Sequence, residues 1–335
     1  MIMSDRDWFE TLFGFKENIN DVYNNLEVTD NIMKSKINNK SYIVGHFEVV
    51  SVDTLLRRKT NDTHTHKPSY IQAITADVSE LLATVENGCV FQVASQFNCL
   101  EFMNPYKTPE DGVTNYMFDK TQGPACSLSC GPATVYRNYF HKMPNGHIGQ
   151  TFDNQINCFE DIEKTLNISV INNGYLTCSV TDLDNINTKT EQLDSTSLGR
   201  KLKIGIQHNT QVTSKHWGNI VLEEEKTVTQ VFASSAAIRY SPYTMNCLEK
   251  WESLSRMILE NTYIAAFHTA YLSDKKTLFL TMVGGGVFGN PLDWILDAIK
   301  KAYIMYSQHG ITVYIVCYRY IPDEIYDFIT NINVK

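Results

Sequence analysis

Positive charge is in short supply: 29 Lys and Arg stand against 37 Asp and Glu, a net charge of −8 at neutral pH. That balance argues against a nucleic-acid backbone as the main partner, while leaving room for a local basic pocket around a small anion. No run of about 18 apolar residues occurs, so no segment reads as membrane-spanning and no membrane partner is expected. The eight cysteines (89, 99, 126, 130, 158, 178, 247 and 317) include no C-x-x-C pair. The first fifteen residues carry Asp5, Arg6, Asp7 and Glu10 among apolar ones, unlike the basic-then-apolar order of a secretory signal. Reduced, mostly buried thiols in a cytoplasmic protein are therefore expected. No G-K-[ST] follows any glycine cluster, which excludes a Walker loop.

What is present begins with residues 90–140. Val90-Phe-Gln-Val-Ala94 is a short β-favouring apolar run, and the polar residues Ser95, Gln96 and Asn98 stand where its loop would begin. Ligands of open α/β sheets bind beyond the carboxyl ends of strands, so a pocket is expected here. Asp111, before Gly112, and Asp119, before residues 121–124, follow on turn-rich sequence and are available for chemistry. Turn formation by Asp-Gly is the bland alternative for Asp111, and capping of the following turn is the alternative for Asp119.

At 335 residues the chain can bury a large core as one α/β domain or two. Residues 1–40 are polar and mixed, with Trp8, Phe9, Leu12, Phe13 and Phe15 able to dock a short helix. A strand leading into a short helix is expected at 42–56, a solvated loop at 57–69 and a helix at 75–85. His64 and His66 alternate with threonines in that loop; exposed histidines are the plainer reading than a metal site, since no third ligand is near. A helix is expected at 125–140, another at 158–166, a hairpin turning at Asn172-Asn173-Gly174, and a helix at 180–193. Strands follow at 202–208 and 228–234, then a long amphipathic helix or helix pair at 246–272. The last fifth is a strand (277–283), a glycine turn, a helix (291–308) and a parallel strand (311–318). That helix shows Asn290 as N-cap, Pro291 at its first position, and a stripe from Leu292 to Tyr306.

Gly284-Gly285-Gly286-Val287-Phe288-Gly289 matches G-x-G-x-x-G between strand and helix, where backbone N–H groups and the helix N-terminus can hold a diphosphate. A ligand-free β-α turn is the alternative. A nicotinamide-binding domain would need an acidic residue about 20 positions on, and none lies between Asp297 and Asp323. ADP-ribose is a candidate ligand.

Gly286-Val287-Phe288-Gly289 after a buried strand resembles the second phosphate loop of macrodomains. The block Phe91-Gln-Val-Ala-Ser-Gln-Phe-Asn-Cys-Leu-Glu101, with Thr108-Pro-Glu-Asp-Gly-Val-Thr114 and Thr121-Gln-Gly-Pro-Ala-Cys126, is similar to the MavL-like arginine-specific (ADP-ribosyl)hydrolases. The resemblance runs through most of residues 42–318. It implies a macrodomain-like three-layer α/β/α domain with a mixed central sheet at 86–335, and an N-terminal extension at 1–85 packed on it. It also implies hydrolysis of the N-glycosidic bond between ADP-ribose and a modified arginine of a protein substrate, with no obligatory metal and no cofactor.

On this resemblance the catalytic aspartates are Asp111 and Asp119, with Glu110 a weaker candidate. ADP-ribose would be bound by Gln96, Asn98, Thr121, Gln122, Gly123 and Ala125, and by Gly284, Gly285, Gly286, Val287, Phe288, Gly289 and Asn290; satisfied loop amides are the alternative for the polar ones. The sequence departs from the family in two places. Ala94-Ser-Gln-Phe-Asn98 replaces the usual Asn-Ala-Ala-Asn signature, and Ser127, Ser129 and Cys130 stand where a third acidic residue is sought. Cys126 and Cys130 read as small core thiols rather than a nucleophile partnered by His141. Arg137 is open to pairing with phosphate or with a core carboxylate.

Overall fold

A computed structural model of the chain describes residues 7–60 and 67–333; His64 and His66 lie outside the described residues. Its centre is a seven-stranded sheet. In chain order the strands are β1 (His46–Ser51), β2 (Tyr70–Thr75), β3 (Val90–Ala94), β4 (Lys203–Gln211), β5 (Thr227–Ala233), β6 (Thr277–Leu280) and β7 (Thr312–Cys317). In space they run β1-β4-β5-β3-β6-β7-β2. β5, β3, β6, β7 and β2 are mutually parallel, and β4 is antiparallel to both of its neighbours. The sheet is therefore mixed, and helices cover it in the three-layer α/β/α arrangement expected of a macrodomain-like fold.

β3 is the central strand because every residue from Val90 to Val93 is buried, as a strand covered on both faces must be. Phe91 stacks on Phe279 of β6 at 4.5 Å, and Phe279 on Tyr314 of β7 at 5.0 Å. One face is covered by Leu248–Leu272, a single continuous helix with Tyr263, Ala265, Ala266 and Phe267 fully buried in near succession. The expected amphipathic pattern holds in its first half, where Glu249 and Glu252 are exposed, while residues 261–270, wedged between the sheet and helix Leu292–Tyr306, are buried all round.

The expected helix at 125–140 is three pieces: Gln122–Ser129, Gly131–Val135 and a wide π turn, Tyr136–Phe140. Gly131-Pro132 breaks it, since proline lacks an N–H and disfavours helical backbone in the residue before it. At the C-terminal unit the helix starts at Leu292 with Pro291 in the cap position, which corrects the expected N-cap. Asn290 is instead buried, and its Nδ2 donates to Ser235 Oγ, Ala236 O and Gly284 O at 3.2, 2.8 and 3.2 Å.

The segment 1–85 supplies both edge strands of the sheet, β1 and β2, as well as a small layer of its own. That layer contains helix Trp8–Phe13, whose Trp8, Phe9, Leu12 and Phe13 pack in a second hydrophobic cluster with Leu100, Phe102 and Tyr116 of the connection after β3. The N-terminal residues thus brace the loop that leaves the central strand. No helix among the described residues is long and apolar enough to cross a membrane.

Candidate active site

Because five strands run parallel, their carboxyl ends meet along one edge, and a cavity of about 480 Å³ opens there. Ala94 at the end of β3 and Ser95 beyond it, Ala233 of β5, Met282 beyond β6 and Cys317 of β7 border it. This is the position expected for a ligand in an open α/β sheet.

The glycine loop forms one wall through Gly284, Gly286, Val287 and Phe288, while Gly285, Gly289 and Asn290 lie behind it. Gly284 must be glycine: its φ is +76°, and a Cβ would collide with Ser235 Oγ. No hydrogen bond among the described residues uses the N–H of Gly286, Val287 or Phe288. Three consecutive free amides form a concave set of donors suited to phosphate oxygens. Phe288 stands in an aromatic group with Tyr175 at 5.6 Å and Tyr240 at 5.7 Å.

The opposite wall is the start of helix Gln122–Ser129: Thr121, Gln122, Gly123 and Ala125 all line the cavity. Asp119 is not among the lining residues; it caps this wall, its Oδ1 accepting the Thr121 N–H at 2.9 Å. Asp119 also lies close enough to Glu101, Tyr175 and Tyr240 for its charge to raise the pKa of each.

Glu101 is the residue that the sequence reading did not assign. It lines the cavity, is only 9% exposed, and its Oε1 has no hydrogen-bond partner. A Cβ on Gly123 would collide with its carboxylate, so glycine at 123 is what lets the acid sit against the helix start. Burial first, and the charge of Asp119 second, push the Glu101 carboxyl well above the ordinary range. The shift favours the protonated form of Glu101 beside a second carboxyl group, the arrangement by which like charges separate into an acid and a base. The available signal was a lone acid in the polar run after a buried strand.

Other expected site residues serve the loop rather than the cavity. Gln96 Nε2 donates to Phe102 O at 2.6 Å and Tyr175 Oη at 3.1 Å, while its Oε1 accepts the Phe102 N–H. Asn98 Nδ2 donates to Gln155 Oε1, and its Oδ1 accepts the Leu100 N–H. Both staple the connection that delivers Glu101, and neither lines the cavity. Asp111 is also off the cavity. It ends a 3-10 turn, Pro109–Asp111, where Oδ1 accepts from Lys107 Nζ at 2.7 Å and Oδ2 from Thr108 N at 2.9 Å. Burial works to raise its carboxyl, and Lys107 and Thr108 outweigh that and hold it below the ordinary range. Glu110 is occupied in the same turn, accepting the Phe152 N–H.

Arg137 is fully buried, does not line the cavity, and makes no ion pair among the described residues, although its charge reaches the Glu101 carboxyl. It donates to Cys99 O, Gln207 Oε1 and Thr134 Oγ1, and lies 4.0 Å over the Phe232 ring. Burial lowers its pKa to about 10. Burial likewise pushes the Cys126 thiol well up and that of Cys130 to about 12, so neither is a ready thiolate.

No family model and no curated protein sequence matches the chain. Among solved structures it is similar to poly(ADP-ribose) glycohydrolase from Thermomonospora curvata, at 11% identity and TM-score 0.46 over 94% of this chain and 96% of that one. It is also similar to poly(ADP-ribose) glycohydrolase from Deinococcus radiodurans in complex with ADP-ribose, at 8% identity and TM-score 0.47 over 86% and 94% of the two chains. Likeness at this level leaves the chemistry to the residues that line the cavity.

Proposed function

We propose that the chain is a hydrolase that removes mono-ADP-ribose from modified arginine side chains of proteins, with Glu101 and Asp119 as its acid and base. The observation that carries this is Glu101, a buried carboxyl lining the cavity, with one oxygen unpartnered, beside Asp119 and across from the free amides of the glycine loop. The amides suit a diphosphate, and the two carboxyls suit the oxocarbenium-like transition state of glycosidic cleavage. Water attacks the anomeric carbon of the distal ribose as the C–N bond breaks; Asp119 takes the water's proton and Glu101 gives its own to the departing guanidine nitrogen. Phe288, which lines the cavity, is the residue assigned to the distal ribose on the resemblance to macrodomains. Arginine as the leaving group rests on the resemblance of 91–126 to the MavL-like class, and an acidic cavity end suits a guanidinium.

The test is release of free ADP-ribose from a mono-ADP-ribosylated arginine peptide, run beside serine- and glutamate-linked peptides and the Asp119→Asn variant. Release from the arginine peptide alone, lost in the variant, supports the whole reading. Release from another linkage keeps the hydrolase and replaces the substrate. Binding of ADP-ribose without any release makes the chain a reader of the modification.

A further inference from the structure

Lys120 is the only Lys or Arg among the residues lining the cavity. Its Nζ donates to Met117 O at 2.8 Å and stands 4.9 Å from the centroid of the Trp217 ring. Trp217 lines the cavity as well, from the tip of a two-stranded hairpin, Ser214–Lys215 with Ile220–Val221.

The backbone at that tip is costly. His216, Trp217 and Gly218 are left-handed in succession, with φ of 51°, 54° and 80°. A non-glycine residue there costs roughly 1 kcal/mol or more, so two in a row must be held from outside. Lys215 Nζ and His216 Nε2 reach the two oxygens of Glu80 at 3.1 and 3.0 Å, tying the tip to helix Val78–Thr84. From below, Trp8 packs so closely that a Cβ on Gly218 would lie 2.5 Å from its own Cβ. The result is an indole that packs against both hydrophobic clusters, its buried Nε1 without a partner and its face under the Lys120 ammonium.

We propose that Lys120, held over the Trp217 ring, is the electrostatic anchor for the diphosphate of the ligand, and that Trp217 is the residue that positions it. This rests on reading the cavity as a nucleotide-diphosphate site and adds the charge that the site otherwise lacks. The glycine loop offers only neutral N–H donors, and the carboxyl side chains that line the cavity with Lys120 are those of Asp77 and Glu101. A diphosphate in such surroundings needs a cation. An ammonium has three donors; the Met117 carbonyl takes one and the ring face another, which leaves one for a phosphate oxygen. The strained hairpin is then the cost of keeping the ammonium from swinging into solvent.

The experiment is calorimetric titration of ADP-ribose, ADP, inorganic pyrophosphate and adenosine into the wild type, Lys120→Met, Trp217→Leu and Trp217→Phe, at low and high salt, with the thermal midpoint of each. Lys120→Met is expected to weaken the diphosphates about tenfold at low salt, the weight of one charged hydrogen bond, and to flatten their salt dependence. Adenosine affinity stays unchanged. Trp217→Leu weakens the same ligands and Trp217→Phe restores them, because a ring face is retained. Unchanged diphosphate affinity in Lys120→Met, or equal loss of adenosine, overturns the proposal. Binding of ADP and pyrophosphate but not ADP-ribose overturns the hydrolase reading alone, with Lys120 judged by the same variants. No diphosphate binding by the wild type overturns both.

Discussion

Glu101 and Asp111 lie on one connection after the central strand, and the fold treats them oppositely. Asp111 sits in a surface turn with an ammonium and a backbone N–H on its oxygens, which lower its pKa. Glu101 is buried with an unpartnered oxygen and a neighbouring carboxylate, and its pKa rises. A satisfied carboxylate contributes to local structure. An unsatisfied buried one costs stability and persists where something else requires it. The contrast is the reason for proposing Glu101 with Asp119, and not Asp111, as the reacting pair.

The largest expected effect tests that placement directly. Glu101→Gln keeps the shape and removes the transferable proton, so turnover of the arginine-linked peptide should fall by about 10² to 10⁴, the usual weight of a positioned acid or base. ADP-ribose affinity should stay near that of the wild type. Turnover within about threefold of wild type would remove Glu101 from the mechanism.

The second effect is one of pH, and its sign follows from the raised pKa. In the unfolded chain Glu101 titrates near its ordinary value of 4.5, and in the fold burial and Asp119 move it upward. The stability this group contributes is therefore complete below about pH 4.5 and declines as pH rises toward the folded value. Measured midpoints should show the wild type losing ground to Glu101→Gln as pH increases through this window. Catalysis runs in the same direction, since an acid that must donate a proton is lost as pH climbs through its raised pKa. A constant gap between the two midpoints from pH 4 to pH 8 would mean the carboxyl is solvated after all.

Much of the scaffold was legible in the sequence. Apolar runs with turn residues at their ends marked β3, β5, β6 and β7, and Asn172-Asn173-Gly174 marked its hairpin, where Asn173 and Gly174 are left-handed. β2 was not legible: only Ile71 of its six residues is buried, so an edge strand leaves almost no period to read. The C-terminal helix Asp323–Asn333 has a readable stripe in Ile325, Phe328 and Ile329 that the expectations passed over. Of the cavity lining, the glycine loop and residues 121–125 were legible because their signals are local: glycines between strand and helix, and a Gly-Pro at a helix start. Glu101 was missed because its role comes from burial, and burial is set by Gly123 and by the N-terminal cluster packed under its loop. Asp111 was overvalued for the converse reason. Asp-Gly on a loop looks available, and the lysine that occupies it lies four residues back, at a spacing that reads as ordinary surface charge.

The smallest expected effect falls on Asp111, and it sharpens the comparison from the other side. Asp111→Ala removes the acceptor for Thr108 N and the partner of Lys107, both in a single exposed turn. Caps of this kind are worth about 0.5 to 1 kcal/mol, and exposed ion pairs add little. The variant should therefore lose no more than a few degrees of thermal midpoint and keep its turnover within about twofold, with the loss in midpoint fading at low pH as the carboxylate of the wild type is protonated. The sign holds because the lowered pKa of Asp111 gives stability above its ordinary titration range and withdraws it as pH falls. A hundredfold fall in turnover with the midpoint intact would instead bring Asp111 to the substrate, and would require the 102–120 connection to close over the cavity when ligand binds.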